Sequence, residues 1–453
     1  MRWTVLRQIA ISCVLAAMAL AGSARTRPHY GGTLRVEIEG DPWQRPGGLA
    51  RRLVLDGLTR MEADGLAHPA LAIDWKSDND GHRWQFHLRP GVRFSDGSAM
   101  TSINVVASLG KACADHCPWT TIYAVGSSVV FTSDSPMPNL PELLAGDEFL
   151  IALTIASNGS TPDGVVGTGP FKVTGFANSV LTLAANENCW LGRPFADAVE
   201  ITVHRTIRDQ WLDLSVGRTD LVEVPAEQMR QAQQQRLTVI ASPPVTLLAL
   251  TVADTGPLAN PLLRAAIALA IDRGALYNVI FQKQGEVTAS LLPDRLTGYA
   301  FLFPTERDLA KAQQLRGGLA PPALTLAAES GAAMQLAAQR IALNLREAGF
   351  NVQVVNASAT QHADLTLRRI ALESNQPQAA LESILRTVGE TARAPEPTTQ
   401  SLYEAEREEL DRKAIIPLLY LPCAIAVSGR VRDLRLGPDG TPDLASSSIE
   451  DAP

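Results

Sequence analysis

The stretch from Gly81 to Leu109 constrains the fold more than any other part of the chain. Trp84, Phe86 and Leu88 alternate with Gln85, His87 and Arg89, the period of a half-buried strand. Pro90-Gly91 supplies turn chemistry, because Pro presets φ and Gly accepts positive φ. Val92-Arg93-Phe94 then reads as the returning strand of a hairpin, and Asp96-Gly97 as a second turn. Thr101 suits a helix N-cap, its hydroxyl accepting from free amides of the first turn. Ile103, Val106 and Leu109 give that helix an apolar side.

Strands and helices alternate through both halves, which predicts an α/β fold. Thr33 to Glu37 is an opening strand, Val129 to Thr132 and Leu181 to Leu183 are further strands, and Val199 to Val203 alternates again. Pro243-Pro244 precedes an apolar run, Val245 to Val252, suited to a buried crossing strand. Asn260 is a good N-cap with Pro261 at the first helical position; Leu263, Ile267, Ala270 and Ile271 form one stripe. Ala323 to Ala328, the helix bearing Met334, Ala337, Ala338, Ile341 and Leu345, and Phe350 to Val355 make a βαβ unit with parallel strands. Gln376 to Gln400, rich in Pro, Thr and Ala, reads as a surface helix and a loop.

At 453 residues the chain has room for two or three domains. The N-terminus reads as an export signal over residues 1–24: Arg2 and Arg7, an apolar stretch from Ile9 to Ala21, then Gly22-Ser23-Ala24 for cleavage. The alternative is an uncleaved anchor, although the apolar stretch is short for a bilayer span. Cys13, preceded by Ala10-Ile11-Ser12, makes a poor lipoprotein signal. The chain is therefore expected to be a free periplasmic protein. Losing Arg2 and Arg7 with the leader makes the formal charge of −7 more negative still. No basic run or basic-aromatic patch occurs, which argues against a nucleic-acid partner.

Four cysteines follow the leader: Cys113, Cys117, Cys189 and Cys423. Cys113, His116 and Cys117 lie close together, but three near ligands fall short of the four of a structural zinc site. A local disulfide or surface thiols are preferred, since export permits disulfides. Neither a metal nor a cofactor is expected. The sequence has no Gly-x-Ser-x-Gly, no His-Glu-x-x-His and no P-loop, and its seven His are scattered, so an enzyme is not expected. Gly167-Thr168-Gly169 has a nucleotide-loop look, yet Pro170 blocks the helix that should follow; these glycines read as backbone devices.

The opening stretch, with Leu55-Asp56-Gly57-Leu58-Thr59-Arg60 and Pro69-Ala70-Leu71-Ala72 before it, resembles the family 5 solute-binding proteins. These are extracellular receptors of peptide, nickel and oligosaccharide ABC importers. Trp75, Trp84, Phe86, Leu88, Arg89, Gly91, Val92, Phe94, Asp96, Gly97, Thr101 and Val105 all fall in the family's order. Gly167 to Phe171, Asn186 to Phe195, Gly217 to Asp220, Asn260 to Arg273, Gly285 to Pro293 and Ala414 to Tyr420 are similar to further family phrases. Asp220, which starts a strand after a helix-ending Gly, reads as structural.

The resemblance implies a periplasmic-binding-protein-like type II fold, two lobes with a hinge plus an inserted third subdomain. On that basis residues 27–52, 166–243 and 429–453 form lobe I, 53–165 the insertion and 244–428 lobe II. The hinge is expected near Pro243-Pro244 and Ser428-Gly429. Binding by lobe closure follows, because contacts from both lobes favour the closed form. The implied partners are a small-molecule or peptide ligand and a membrane-embedded ABC permease, the receptor itself being a monomer.

Asp364 to Pro377 is similar, without gaps, to the peptide receptors' phrase in which an Asp binds the peptide ammonium beside a Trp. Glu373 takes the acidic position and Ile370 the Trp position. Glu373 keeps the charge with one more methylene, and Ile370 removes an aromatic face. The alternative makes Glu373 a solvated helix-end carboxylate. Trp43 either faces the cavity or sits exposed, because the loop from Trp43 to Ala50 is shorter than the family's. That trimming leaves a second functional reading open: an exported scaffold or sensor with a degenerate cleft.

Overall fold

The computed structural model describes residues 29–43, 48–62, 64, 66–112, 117–153, 164–318, 323–329, 331–356, 363–389, 398–437 and 439–450. The leader at 1–24, together with Cys113 and His116, lies outside these residues. Strand β1 (Thr33–Glu37) is followed by the short pair β2 (Thr59–Met61) and β3 (Ala67–Pro69). Strands β4 (Ala72–Ser77), β5 (Arg83–Leu88), β6 (Thr121–Val125) and β7 (Ser128–Thr132) form an antiparallel sheet in the order β4-β5-β7-β6. Phe86, Phe94, Trp119, Phe131 and Phe149 fill a core of their own beneath it.

The main sheet has 11 strands. Its first part comprises β1, β8 (Phe171–Ala177), β9 (Val180–Ala185), β10 (Ala198–Thr202) and β11 (Leu221–Glu223). The long β12 (Thr238–Val252) then leads to β13 (Glu286–Val287), β14 (Ala323–Ala328), β15 (Asn351–Asn356), β16 (Leu365–Ala371) and the long β17 (Ile415–Val427). The order is β15-β14-β16-β12-β17-β11-β1-β10-β9-β8, with β13 beside β17. A last pair, β18 (Val431–Arg432) and β19 (Ser448–Ile449), carries Val431 and Ile449 onto the core beneath β1 and β10. The fold class is mixed α/β, as expected. Strands β14 and β15 are parallel and joined by helix Ala332–Glu347, the βαβ unit read from the sequence.

Strands β12 and β17 run antiparallel from one core to another. Val239 and Ala424 pack with Trp211 and Val222, whereas Leu248, Leu418 and Leu419 pack around helices Pro261–Ala270 and Ala332–Glu347. Between these ends the register breaks around Pro244, which faces Pro422. Proline donates no ladder hydrogen bond, so the pair is weakest at this point. The change of core therefore falls at 241–244 and 422–423. Further along, Ser428 donates its backbone N–H to the Asp220 carbonyl on the β1 side. Asp220 is wholly buried and accepts from Arg35 at 3.1 Å, a structural clamp.

Three local readings are corrected. Val92 to Phe94 does not return along β5; it closes a small hairpin on itself, Phe94 N–H to Ser98 O at 2.9 Å and Met100 N–H to Val92 O at 3.0 Å. Both edges of β5 are already taken by β4 and β7, which leaves no place for that strand. Helix Ser102–Ala112 buries Ser102, Val105, Ser108 and Leu109, while Ile103 is 71% exposed. Its N-terminus is a reciprocal cap: Asn104 N–H to Thr101 Oγ1 and Thr101 N–H to Asn104 Oδ1. Helix Pro377–Thr387 is no surface helix, because Ala380, Leu381, Ile384 and Leu385 are buried with Ile415 and Tyr420.

Candidate functional site

Helix Leu49–Val54 supplies one wall of a cavity of about 190 Å³ between the two parts of the sheet. Adjacent helical residues point about 100° apart, so its two arginines serve different neighbours. Arg51 is buried and grips Asp147, Nε to Oδ2 at 2.9 Å and Nη2 to the backbone O at 2.8 Å. Arg52 turns into the cavity, its side chain 29% exposed. The helix is seated from below by the Gly167 to Pro170 loop, where Gly169 N–H bonds the Val54 carbonyl at 3.0 Å.

Glu373 lines the cavity from the opposite side, between the end of β16 and helix Pro377–Thr387. Ser383 Oγ donates to its Oε2 at 2.9 Å. Gly146 leaves room for this carboxylate: a Cβ there would lie 3.0 Å from Oε2. Burial pushes the Glu373 pKa up, against the Ser383 bond and the charges of Arg52 and Arg386; Asp147 adds to the rise. The Glu373 residue is half-buried at this wall. The geometry brings Glu373 and Arg52 to one cavity but leaves the other two expected residues outside its lining. Ile370, 2% exposed, faces Leu247 across the strand pair and packs with Leu381 and Ile384. Trp43 is half-buried against the core around β1.

A third wall comes from the C-terminal segment, through Asp439, Thr441, Asp443 and Leu444. Leu436 bridges Pro442, Gly437 N–H bonds Thr441 O at 2.7 Å, and Thr441 N–H bonds Asp439 Oδ1 at 3.0 Å. The result is a tight hairpin whose Asp439 meets Arg52, Nη2 to Oδ2 at 3.4 Å. Sequence reasoning missed both partners. The signals present were tandem arginines behind the shortened loop and a cluster of Gly, Pro and Asp near the C-terminus.

Beside the cavity, the inserted subdomain rests on helix Pro377–Thr387. Asn139 Nδ2 donates to Glu382 Oε2 at 3.3 Å, Arg386 lies 3.6 Å from Glu148, and its guanidinium covers the Phe149 ring. Burial raises the pKa of Glu142, Glu382 and Glu373 at this contact. The cations facing them are Arg386 and Arg52; Asp147 and Glu148 add further negative charge. A raised carboxylate contributes most to stability below its unfolded value, 4.5, and that contribution is lost as pH rises through the folded pKa. Glu382→Gln is thus expected to raise thermal stability at neutral pH and to change it little in acid. Thermal melts across pH check this, and equal shifts at both ends contradict it.

Among the described residues no group of three or more His, Cys, Asp and Glu is placed to hold a metal. Cys117 is disulfide-bonded, and Cys189 and Cys423 are free. No helix among the described residues is long and apolar enough to cross a membrane.

Two α/β parts joined by one strand pair make the two-lobed type II periplasmic-binding-protein fold, with a charged cavity lined by Arg52 and Glu373. The family model of bacterial extracellular solute-binding proteins, family 5, matches residues 67–392, and the chain belongs to that family. It is 25% identical over 352 residues to a probable di/tripeptide-binding protein 5 of Pseudomonas aeruginosa, covering 67% of each chain. It is likewise 25% identical over 293 residues to the probable D,D-dipeptide-binding periplasmic protein DdpA of Escherichia coli, 59% of this chain and 55% of that one. The chain thus spans about two thirds of the first relative's length and little over half of the second's. Among solved structures, the periplasmic binding protein DppA of Helicobacter pylori, in complex with the peptide STSA, superimposes with a TM-score of 0.80. The identity is 19%, over 95% of this chain and all of that one.

Proposed function

We propose that this chain is the exported solute-binding component of an ABC importer and that it captures a small ligand with a cationic group between its lobes. The observation that carries this reading is the cavity with the half-buried Glu373 carboxylate on one wall and Arg52 on another. The peptide-binding relatives favour a short peptide or similar amine as the ligand class. The membrane-embedded permease, the periplasmic location and the division into lobes at 52/53, 165/166, 243/244 and 428/429 belong to the same reading; the break in register around Pro244 and Pro422 supports a hinge in this strand pair. Ligand contacts from both walls favour closure about that point.

Glu373→Gln tests the site. A charge-assisted bond to an ammonium is worth roughly 1.5–3 kcal/mol. Calorimetry with L-alanyl-L-alanine is therefore expected to show binding weakened about tenfold or more. Its N-acetyl analogue should be indifferent to the substitution. Equal affinities of the free amine for wild type and variant would remove Glu373 from the site.

A second reading has one observation in its favour. Ligand cavities commonly measure roughly 300–1,000 Å³, and this one, at about 190 Å³, is narrowed by the C-terminal hairpin. A narrowed cleft suits an exported scaffold or sensor that kept the fold without ordinary uptake.

A further inference from the structure

The Asp439 hairpin has the geometry of an internal occupant. Its carboxylate is presented to Arg52, a cation that a solvent-accessible cavity leaves partly open, and its own side chain is 17% exposed. The Arg52 pair joins the tip to the helix Leu49–Val54, beside the hairpin's own bonds, Gly437 N–H to Thr441 O and Gly440 N–H to Gly437 O. Gly440, at φ +83°, lies so close to Cys423 that an added Cβ would fall 2.9 Å from the thiol sulfur and 3.2 Å from the Val245 side chain. The hairpin tip thus covers β12 and β17 near Pro244 and Pro422, with the Cys423 thiol 3.4 Å from the Thr246 hydroxyl. Arg52 and Glu373 are near enough for the arginine to act on the pKa of the acid. One wall therefore offers a cation and another an anion, across a space suited to a molecule of amino-acid or dipeptide size.

We propose that Arg52 is a carboxylate subsite, that the ligand is a small zwitterion with its carboxylate on Arg52, and that Asp439 is a built-in stand-in which the ligand displaces. The inference rests on the capture reading above and names its ligand class. Displacement is an exchange of one carboxylate for another on the same guanidinium. The charge on Arg52's partner is unchanged, the ligand's ammonium brings one positive charge to the Glu373 side, and the hairpin turns outward as the ligand's acid enters. Affinity is then set by competition with a tethered group, as for any intramolecular competitor.

Two measurements on Asp439→Asn test this. First, losing the anchor should free the hairpin tip and expose Cys423. Labelling of that thiol by a maleimide, in a Cys189→Ser background, is expected to accelerate severalfold without any ligand. Second, L-alanyl-L-alanine should bind the variant about tenfold more tightly than wild type, since its carboxylate no longer competes with a charged rival. Its C-terminal amide should gain nothing. An unchanged labelling rate overturns the proposal, because the hairpin is then not held by Arg52. Equal gains for acid and amide, or no binding of the acid by the variant, overturn the carboxylate subsite. Failure of the capture reading itself is seen elsewhere, in the absence of any small molecule retained by wild-type protein from its own cells.

Discussion

Gly167→Ala is expected to cost about 3 kcal/mol of folding stability, the upper end for overpacking. A Cβ at Gly167 would stand 1.9 Å from the Val54 carbonyl oxygen and 2.7 Å from the Leu55 side chain. The first of these is backbone at the end of the helix that carries Arg52, so no rotamer change relieves it. Either the loop or the helix must retreat, and with it the wall of the cavity. Gly110→Ala is the matched control. It lies within helix Ser102–Ala112 with nothing inside 4 Å of an added Cβ, and should stabilise by roughly 0.5–1 kcal/mol. Urea unfolding of the two variants beside wild type measures both. A Gly167→Ala curve that overlays wild type would show that this contact does not seat the helix.

Glu406→Ala is the other large effect, at roughly 3–5 kcal/mol. Glu406 sits on helix Thr399–Arg412 and is wholly buried. Its Oε1 accepts from Ser290 Oγ, Leu291 N–H and Leu292 N–H at 2.5, 2.5 and 3.1 Å, and its Oε2 from the Tyr299 hydroxyl at 2.8 Å. Truncation takes the acceptor from the Leu291 amide and the Tyr299 hydroxyl in a buried site, where each unmade bond is costly. It leaves Ser290 and Leu292 only their bonds to one another, Ser290 Oγ to Leu292 O at 2.8 Å and Leu292 N–H to Ser290 Oγ at 3.3 Å. The segment it holds also accepts the Tyr420 hydroxyl of β17 at Leu291 O, 2.5 Å away, so the damage reaches the crossing strand. Burial raises the Glu406 pKa, with the four donors opposing it. Glu406→Gln keeps one acceptor oxygen and should lose less than the alanine variant. A melting temperature for Glu406→Ala equal to wild type contradicts this account of the network.

What could be read from the chain was what local rules determine. Asn260 caps its helix as its side chain and the following proline require, accepting from Leu262 N–H at 3.0 Å. Gly167 and Gly169 were legible as backbone devices because Pro170 excludes the alternative. Glu373 stands out through an ungapped phrase, and its place on the cavity wall follows from the end of β16, which such a phrase preserves.

The rest depends on pairings between distant parts of the chain, which leave no periodic trace. Nothing in Arg51-Arg52 says which of the two turns inward; Asp147 and Asp439 decide it in space. Ile370 occupies a position where the resemblance has an aromatic residue, yet strand alternation turns it to the core side with Leu381. Helix Pro377–Thr387 reads as a surface helix because Pro, Thr and Ala dominate residues 376–400, while the apolar side it buries, Leu381, Ile384 and Leu385 beside Ala379, Ala380 and Ser383, is short.

Capture between the lobes is tested most directly by weighing the intact protein, purified without denaturation from the periplasm of its own host, by native mass spectrometry. The account expects a small molecule retained by wild type, with the mass of a short peptide or other small zwitterion, and lost from Glu373→Gln. A bare chain mass for wild type, accompanied by a stoichiometric protein partner, would contradict it and favour the scaffold.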